Sequence, residues 1–392
     1  MPVALVSEVV PPSWSGSAVL ISRLLDGEDP DAYRLLTSAQ GRYEGAHIGG
    51  LATPCFRLPP ARTRYLSRNN KLLYASSAMA GAGAGIVRRA YGIARIARRE
   101  RCRAIVVFTG DFHDVPAAHV SARLLRVPLY VYMLDYYSHR EIYEPAWKRL
   151  SPPIERVVVR RARRVICGTD TLARALAERY GVQPAVIHHP ADLSLYLLAP
   201  RPRPAPGADR LRIVYTGTIY DAHVDAVANL LTALQRPEAP AGALHVHGGQ
   251  SARELGERGL QGPFVVEGHL DAAGVAAAQQ GADVLFLPLA FRSQCPEVIR
   301  TSAPMKFGEY LAAGGPILVH APPDAFVSEY CRRHDCGLVV DDTDPASLVD
   351  ALQALAGDDA LRARLMTNAQ TRARADFAID VARARFAEVL GL

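Results

Sequence analysis

Short runs of Val, Ile and Leu recur along the chain with little polar alternation. In the first half they fall at Val3–Val6, Ala104–Phe108, Leu129–Met133, Val165–Cys167 and Ala185–His188. In the second half they fall at Arg212–Tyr215, Ala243–Val246, Phe264–Val266, Val284–Leu287, Pro316–Val319 and Gly337–Val340. Runs that are apolar at almost every position fit parallel strands buried on both faces. Between them lie helical stretches such as Ala117–Leu125, Ile154–Arg163, Thr171–Tyr180, Asp225–Leu234, Met305–Ala313 and Pro345–Ala354. Strand–helix alternation of this kind predicts an α/β architecture with right-handed crossovers.

One segment breaks the rhythm. Residues 199–209 hold four prolines, which suits a semi-rigid linker. A fresh strand–helix unit starts directly after it. The reading is two doubly wound, Rossmann-like domains facing a cleft, residues 1–198 and 210–375, joined by the linker at 199–209. A closing helix over 376–392 is expected to pack back on the first domain. Ligands of open parallel sheets sit beyond the carboxyl ends of the strands. Gly81-Ala-Gly-Ala-Gly85 does not match GxGxxG and reads as a mobile loop.

Composition narrows the class. The 392 residues are 49% hydrophobic and 21% charged, as in a globular protein. Ala75–Val87 is the longest weakly apolar run, and a membrane span needs ~20 apolar residues. The amino terminus lacks a basic segment, so no signal peptide is expected and the chain reads as cytoplasmic. Six scattered cysteines suit reduced thiols; Cys331 and Cys336 form at most half of a zinc site, so no metal is expected.

Charge is uneven. Residues 1–198 carry +11 and residues 199–392 carry −5, for a net +6. Twelve Lys and Arg stand between Arg57 and Arg103 against one acid, Glu100, and a second basic cluster runs from Lys148 to Arg164. Solvated helix faces, anionic lipid or an anionic acceptor would each account for these clusters. Nucleic acid fits poorly, because stacking aromatics are sparse.

Thr301 to Val319 is the most informative segment. Pro304 suits the first helical position, and Gly314-Gly315 ends the helix. The helix start offers free N–H groups and a positive dipole end, an anion site to which Lys306 adds a full charge. Glu309, further along, could accept two hydrogen bonds from a vicinal diol such as ribose. An ordinary amphipathic helix with exposed Lys and Glu is the plain alternative. After the Arg212–Tyr215 strand, Gly217 would let backbone approach a phosphate. Ser15, Gly16 and Ser17 form a small anion-friendly loop. Asp111 and His113 follow one strand and Asp135 and His139 another, where turn and capping roles are common. His188-His189 and His245/His247 read as structural.

In this order the segments resemble the family-4 retaining glycosyltransferases of the GT-B fold. Pro12 to Gly16 is similar to that family's loop after the first strand. Arg164–Asp170, His188–Asp192 and Tyr215–Thr218 match later landmarks. Gly281–Pro288 and Pro304–Pro316 resemble the "aDv-x-x-xPS" and "P-x-K-x-x-EYlAaGkPv" blocks. The resemblance implies a nucleotide-diphosphate sugar as co-substrate, no cofactor, and metal-independent transfer to a sugar, glycolipid or small-molecule acceptor. It places Gly16, Gly217, Thr218, His223, Arg300, Thr301, Ser302, Ala303, Pro304, Met305, Lys306 and Glu309 around the donor, with Glu309 on the ribose. It makes Asp111, His113 and Lys306 the candidate catalytic groups, and Asp135 and His139 acceptor-side. Base contacts are expected from the Gly248–Gln250 and Gly268–Leu270 loops.

Three departures stand out. Thr301 replaces the first Glu of E-x7-E, and Thr218 replaces the usual Arg. The usual Lys a few residues on is also missing; Lys306, His223, Arg292 and Arg300 are the candidate substitutes. A role in surface glycan or glycolipid synthesis, with peripheral contact at the inner face of an anionic membrane, suits the charge. The alternatives are a non-catalytic sugar-nucleotide-binding relative and a GT-B-type epimerase.

Overall fold

The computed structural model describes residues 1–11, 13, 15–38, 51–60, 71–139, 145–197 and 210–392. The 199–209 linker, Pro12 and the 61–70 part of the basic cluster lie outside them. The chain divides into two compact units. One is Met1–His188 with Arg383–Leu392, the other His189–Ala382. Residues 189–197 and 376–382 therefore belong to the second unit.

The first unit is built on seven parallel strands. These are β1 (Val3–Ser7), β2 (Tyr33–Thr37), β3 (Cys55–Arg57), β4 (Ala104–Phe108), β5 (Leu129–Met133), β6 (Arg164–Cys167) and β7 (Ala185–Val186). Their order is β3-β2-β1-β4-β5-β6-β7. β1, β4 and β5 are buried at every position, as their unbroken apolar runs require. The helices are α1 (Gly16–Leu25), α2 (Lys71–Arg99), α3 (Asp114–Leu125), α4 (Pro145–Arg161) and α5 (Asp170–Tyr180). Strand order reverses after β3, so right-handed crossovers put α2 to α5 on one face and α1 on the other. The last residues of the chain join the α1 face, where Arg383 Nε donates to Arg23 O at 2.9 Å.

The glycine run 81–85 is not a loop; it lies inside α2. Three glycines disfavour a free helix, each by about 1 kcal/mol against alanine. Packing decides instead: Ala78, Ala82, Ala90, Ile93 and Ala97 are buried on one helical stripe. A Cβ at Gly92 would stand 2.5 Å from Pro59 Cδ, so small residues let this helix lie close.

In the second unit α6 (Ser194–Leu197) comes before six parallel strands. They are β8 (Leu211–Thr216), β9 (Gly242–His247), β10 (Phe264–Val266), β11 (Val284–Pro288), β12 (Ile317–His320) and β13 (Leu338–Val340), in the order β10-β9-β8-β11-β12-β13. The helices are α7 (Val224–Ala233), α8 (Ala252–Glu257), α9 (Ala272–Gln280), α10 (Pro296–Thr301), α11 (Met305–Ala313), α12 (Phe326–His334), α13 (Pro345–Gly357) and α14 (Asp359–Asp376); α15 (Ile379–Leu390) starts here and from Arg383 onward belongs to the first unit. Sequence-legible caps start several of them. Ser251 and Glu254 form a reciprocal capping box at α8, and Asp271, Asp344 and Asp358 cap α9, α13 and α14. In both sheets the switch in strand order falls beside the central strand, β1 or β8, where such sheets bind ligands.

Candidate active site

β8 ends at Thr216 and the chain turns at Gly217, whose φ of +117° is open only to glycine. Gly217 N donates to His247 O at 2.8 Å, drawing the end of β9 alongside. A Cβ at Gly248 would meet Gly217 O at 2.6 Å, so both turns must be glycine. A Cβ at Gly217 would lie 3.1 Å from Lys306 Nζ. The empty side of Gly217 is therefore where the lysine head sits.

Lys306 stands in the first turn of α11, its Nζ 3.7 Å from the centre of the Tyr215 ring. Burial pushes its pKa down to about 7, against the opposing charge of Glu309 one turn on. Phe307, Gly308, Tyr310 and Leu311 form the buried side of the helix, leaving Lys306 and Glu309 partly accessible. Pro304 occupies the N-cap position, one residue earlier than the sequence suggested, and no side chain caps the helix. The amino end of α11 thus keeps uncapped N–H groups beside an ammonium, a favourable setting for an anion.

A buried polar chain fixes this helix. Thr216 N donates to Tyr310 Oη at 3.0 Å, Gln279 Nε2 to Thr216 Oγ1 at 2.9 Å, and Tyr196 Oη to Gln279 Oε1 at 2.6 Å. The His189 ring bonds Ala303 O at 2.9 Å and so positions the Ser302–Pro304 approach to the helix. His189 read as merely structural in the sequence; nothing in its His-His-Pro setting signals a partner so far along the chain.

The candidate cations sort differently from expectation. His223 lies beside Tyr220 N and the Tyr215 hydroxyl, at 3.5 and 3.3 Å from Nδ1. Burial first, and the Lys306 charge second, lower it to about 3. It is a neutral hydrogen-bonding group at pH 7 and does not replace a missing cation. Thr301 is turned inward, 1% exposed, with its hydroxyl donating to Glu297 O at 2.8 Å. It does not stand in for the absent Glu as a ligand group. Arg300 lies on α10 with its Nε buried and without a hydrogen bond. Arg292 is exposed, its backbone N bound to Asp225 Oδ2 at 2.8 Å. A depression of about 330 Å³ lined by Asp221, Val224, Asp225, Arg258 and Arg292 adjoins the start of α7. A similar one at Arg210, Ala243 and Phe264 opens at the amino edge of the sheet, away from these groups. Cys331 and Cys336 are buried thiols 3.9 Å apart at the end of α12. No His, Cys, Asp or Glu group suited to a metal occurs among the described residues.

In the first unit the carboxyl ends of β1 and β4 gather a second cluster. Asp111 Oδ1 accepts from His113 N at 2.8 Å and lies 3.2 Å from His113 Nδ1. Burial works against the Asp111 charge, but the His113 contacts and Arg89 outweigh it and hold the pKa below the usual value. His113 is packed edge-on against Phe112 and Trp147, with Nε2 buried and unbonded. Behind it Arg89 Nη1 donates to Asp114 Oδ1 at 2.7 Å in full burial. Burial and then the Asp111 charge push Asp114 up to about 8 despite that contact. Glu8 joins from the end of β1; a Cβ at Gly110 would meet its Oε2 at 3.2 Å. Asp111 thus orients the imidazole, while Asp114 is paired with Arg89.

Asp135 and His139 follow the neighbouring strand β5. Thr109 Oγ1 accepts from Leu134 N at 3.0 Å and donates to Asp135 O at 3.4 Å, tying the ends of β4 and β5. His139 Nδ1 is 3.1 Å from Ser138 Oγ. Buried Glu155 holds that turn, accepting from Ser138 N at 2.7 Å, from Ser138 Oγ and from the Tyr180 hydroxyl. Gly16 opens α1, with Ser15 Oγ capping Ala18 N at 3.3 Å.

Two parallel Rossmann-like sheets, the second with a glycine turn against a Lys-bearing helix start, are the parts of a GT-B fold. Residues 59–195 match the profile described as Glycosyltransferase Family 4, and residues 210–358 match Glycosyl transferases group 1. The two profiles fall one on each half and together span most of the chain, which is a glycosyltransferase of the family-4 group. Among solved structures it is similar to sucrose-phosphate synthase from Thermosynechococcus elongatus, at 16% identity and TM-score 0.69 over 99% of this chain and 98% of that one. It is similar to Anabaena HepE in complex with UDP-glucose, at 14% identity and TM-score 0.66 over 100% and 99%. Trehalose 6-phosphate synthase from Burkholderia multivorans matches at 15% identity and TM-score 0.67 over 99% and 98%. No curated protein sequence matches the chain.

Proposed function

We propose that this glycosyltransferase takes a nucleoside-diphosphate sugar on its second unit and passes the sugar, with retention and without a metal, to an acceptor hydroxyl. The observation that carries this is the uncapped start of α11. There Lys306 Nζ rests against Gly217 and Glu309 follows one turn later. The Anabaena neighbour holds UDP-glucose, which supports the same donor class here.

In this reading the diphosphate lies over Gly217 and the first turn of α11. Lys306 and the helix N–H groups stabilise the charge that grows on the leaving phosphate, the largest catalytic contribution expected for such a transfer. Glu309 accepts the ribose hydroxyls. Thr218 and neutral His223 offer uncharged contacts only. The acceptor hydroxyl attacks from the side the diphosphate leaves, and a phosphate oxygen takes its proton. On the first unit, His113, oriented by Asp111, is the group that binds the acceptor.

The acceptor is a sugar, glycolipid or small molecule, in surface glycan or glycolipid synthesis. The enzyme works on the cytoplasmic side, held peripherally to an anionic membrane by its basic first half. No helix among the described residues is long and apolar enough to cross a membrane.

A thermal-shift series with UDP, GDP, dTDP and ADP tests the donor assignment. Ligand at a hundredfold excess over its Kd adds about 2.7 kcal/mol to the folded state. One nucleotide should stabilise the wild type and fail on Glu309→Ala. No stabilisation by any nucleotide or its sugar conjugates would overturn the reading.

A further inference from the structure

Helices α2, α3 and α4 lie side by side over one face of the first sheet. Ser121 Oγ donates to Ala90 O at 2.8 Å, setting the middle of α3 against α2. Arg123 and Arg161, with burial first, depress His119, which joins α3 to α4. The carboxylates on these three helices are Asp114 and Glu155, and both are buried and bonded. Glu100, just past α2, is held by Arg34 and Arg99. Among the described residues, the outer face of the layer carries Arg88, Arg95, Arg98, Arg123, Arg156 and Arg160 with no carboxylate.

That face is also apolar where a surface helix should be polar. From Ser76 to Val87 the exposed positions of α2 are Ser76, Met79, Ala80, Gly83, Ala84 and Val87, with no charge. Val87 is 69% exposed and Tyr91 68%, and across the Ser121–Ala90 contact Leu124 is 69%. In a parallel sheet each crossover helix starts at the carboxyl edge. The uncharged half of α2 therefore begins at the edge that holds Asp111 and His113.

We infer that this three-helix face docks on an anionic lipid bilayer. Val87, Tyr91 and Leu124 enter the headgroup region and the surrounding arginines pair with lipid phosphates. Tyrosine suits that depth, with an apolar ring and a wet hydroxyl. A second copy of the chain is disfavoured, since it would oppose arginines to arginines. Nucleic acid accounts for the arginines but leaves Val87 and Leu124 without a role. The inference rests on the membrane-held acceptor reading above and adds which face seats and which acceptor end comes to the surface.

Vesicle flotation tests it, using three parts phosphatidylcholine to one part phosphatidylglycerol, with pure phosphatidylcholine as control. The wild type should float with the anionic vesicles alone and release as salt rises. Neutralising Arg95, Arg156 and Arg160 together to Gln should lower partitioning about a hundredfold, about fivefold for each. Val87→Ser with Leu124→Ser should lower it about tenfold at unchanged charge. Both variants should keep wild-type nucleotide binding, which shows that they fold and isolates the surface from the donor site. Wild type that ignores anionic vesicles, variants that float like wild type, or single-stranded RNA bound in place of vesicles would each overturn it. Loss of the nucleotide response with flotation intact would instead fault the transferase reading and leave the surface standing.

Discussion

Replacing Lys306 by Met should make the protein more stable and worse at holding its donor. Burial takes the lysine from 10.5 to about 7. At 1.36 kcal/mol per pH unit the buried charge costs about 5 kcal/mol near neutrality. Lys306 is partly accessible, so solvent screens that charge and about 5 kcal/mol is the upper bound. Because the folded value lies below the unfolded one, the full cost is present below pH 7. Stability then rises with pH between about 7 and 10.5, where the unfolded chain holds a proton that the folded protein has shed. Met fills the same space without the charge. Urea unfolding at pH 6 should show Lys306→Met more stable by up to about 5 kcal/mol, and the gap should close toward pH 10. Titration calorimetry should show its nucleoside-diphosphate affinity down about ten- to a hundredfold, the loss of one charge-assisted contact. Lys306→Met less stable than wild type at pH 6, or with unchanged diphosphate affinity, would refute the reasoning.

Other substitutions probe other parts of the account. Gly308→Ala should destabilise by about 1–3 kcal/mol in thermal unfolding, although alanine favours helix, because its Cβ would come 2.9 Å from Phe377 Cδ1. Asp111→Asn should leave nucleotide binding intact and lower transfer about a hundredfold in steady-state assays, since His113 loses the carboxylate that orients it. Glu309→Gln should weaken nucleoside diphosphates more than inorganic pyrophosphate in calorimetry, because its partner is the ribose.

Much of the fold was legible. The strands β4, β5, β8 and β11 are buried on both faces, so their apolar runs had no alternation to blur them. The start of α11 was equally plain, because Pro304 ahead of an amphipathic run that ends at Gly314 is a local signal. Long-range and packing effects were not. β2 and β3 were missed, since Tyr-Arg-Leu-Leu-Thr mixes polar with apolar and β3 is only three residues long. The glycines at 81–85 read as a loop rather than as part of α2, since packing such as the Gly92–Pro59 contact lies outside the local sequence. His223 read as a cation because its type permits one; only its burial beside Lys306 shows it neutral. Arg89 and Trp147 are not legible as parts of this cluster, because α2 and α4 bring them from distant sequence to Asp114 and His113.

The central claim is that Lys306 and the start of α11 receive the leaving diphosphate of a sugar donor. Proton NMR of the anomeric signal of each nucleotide sugar, followed with enzyme and a glycan acceptor, tests it most directly. The account predicts loss of one donor's signal, release of its nucleoside diphosphate, and a product of unchanged anomeric configuration, all abolished in Lys306→Met. Donor consumption that persists in Lys306→Met, or a product of inverted configuration, would contradict it.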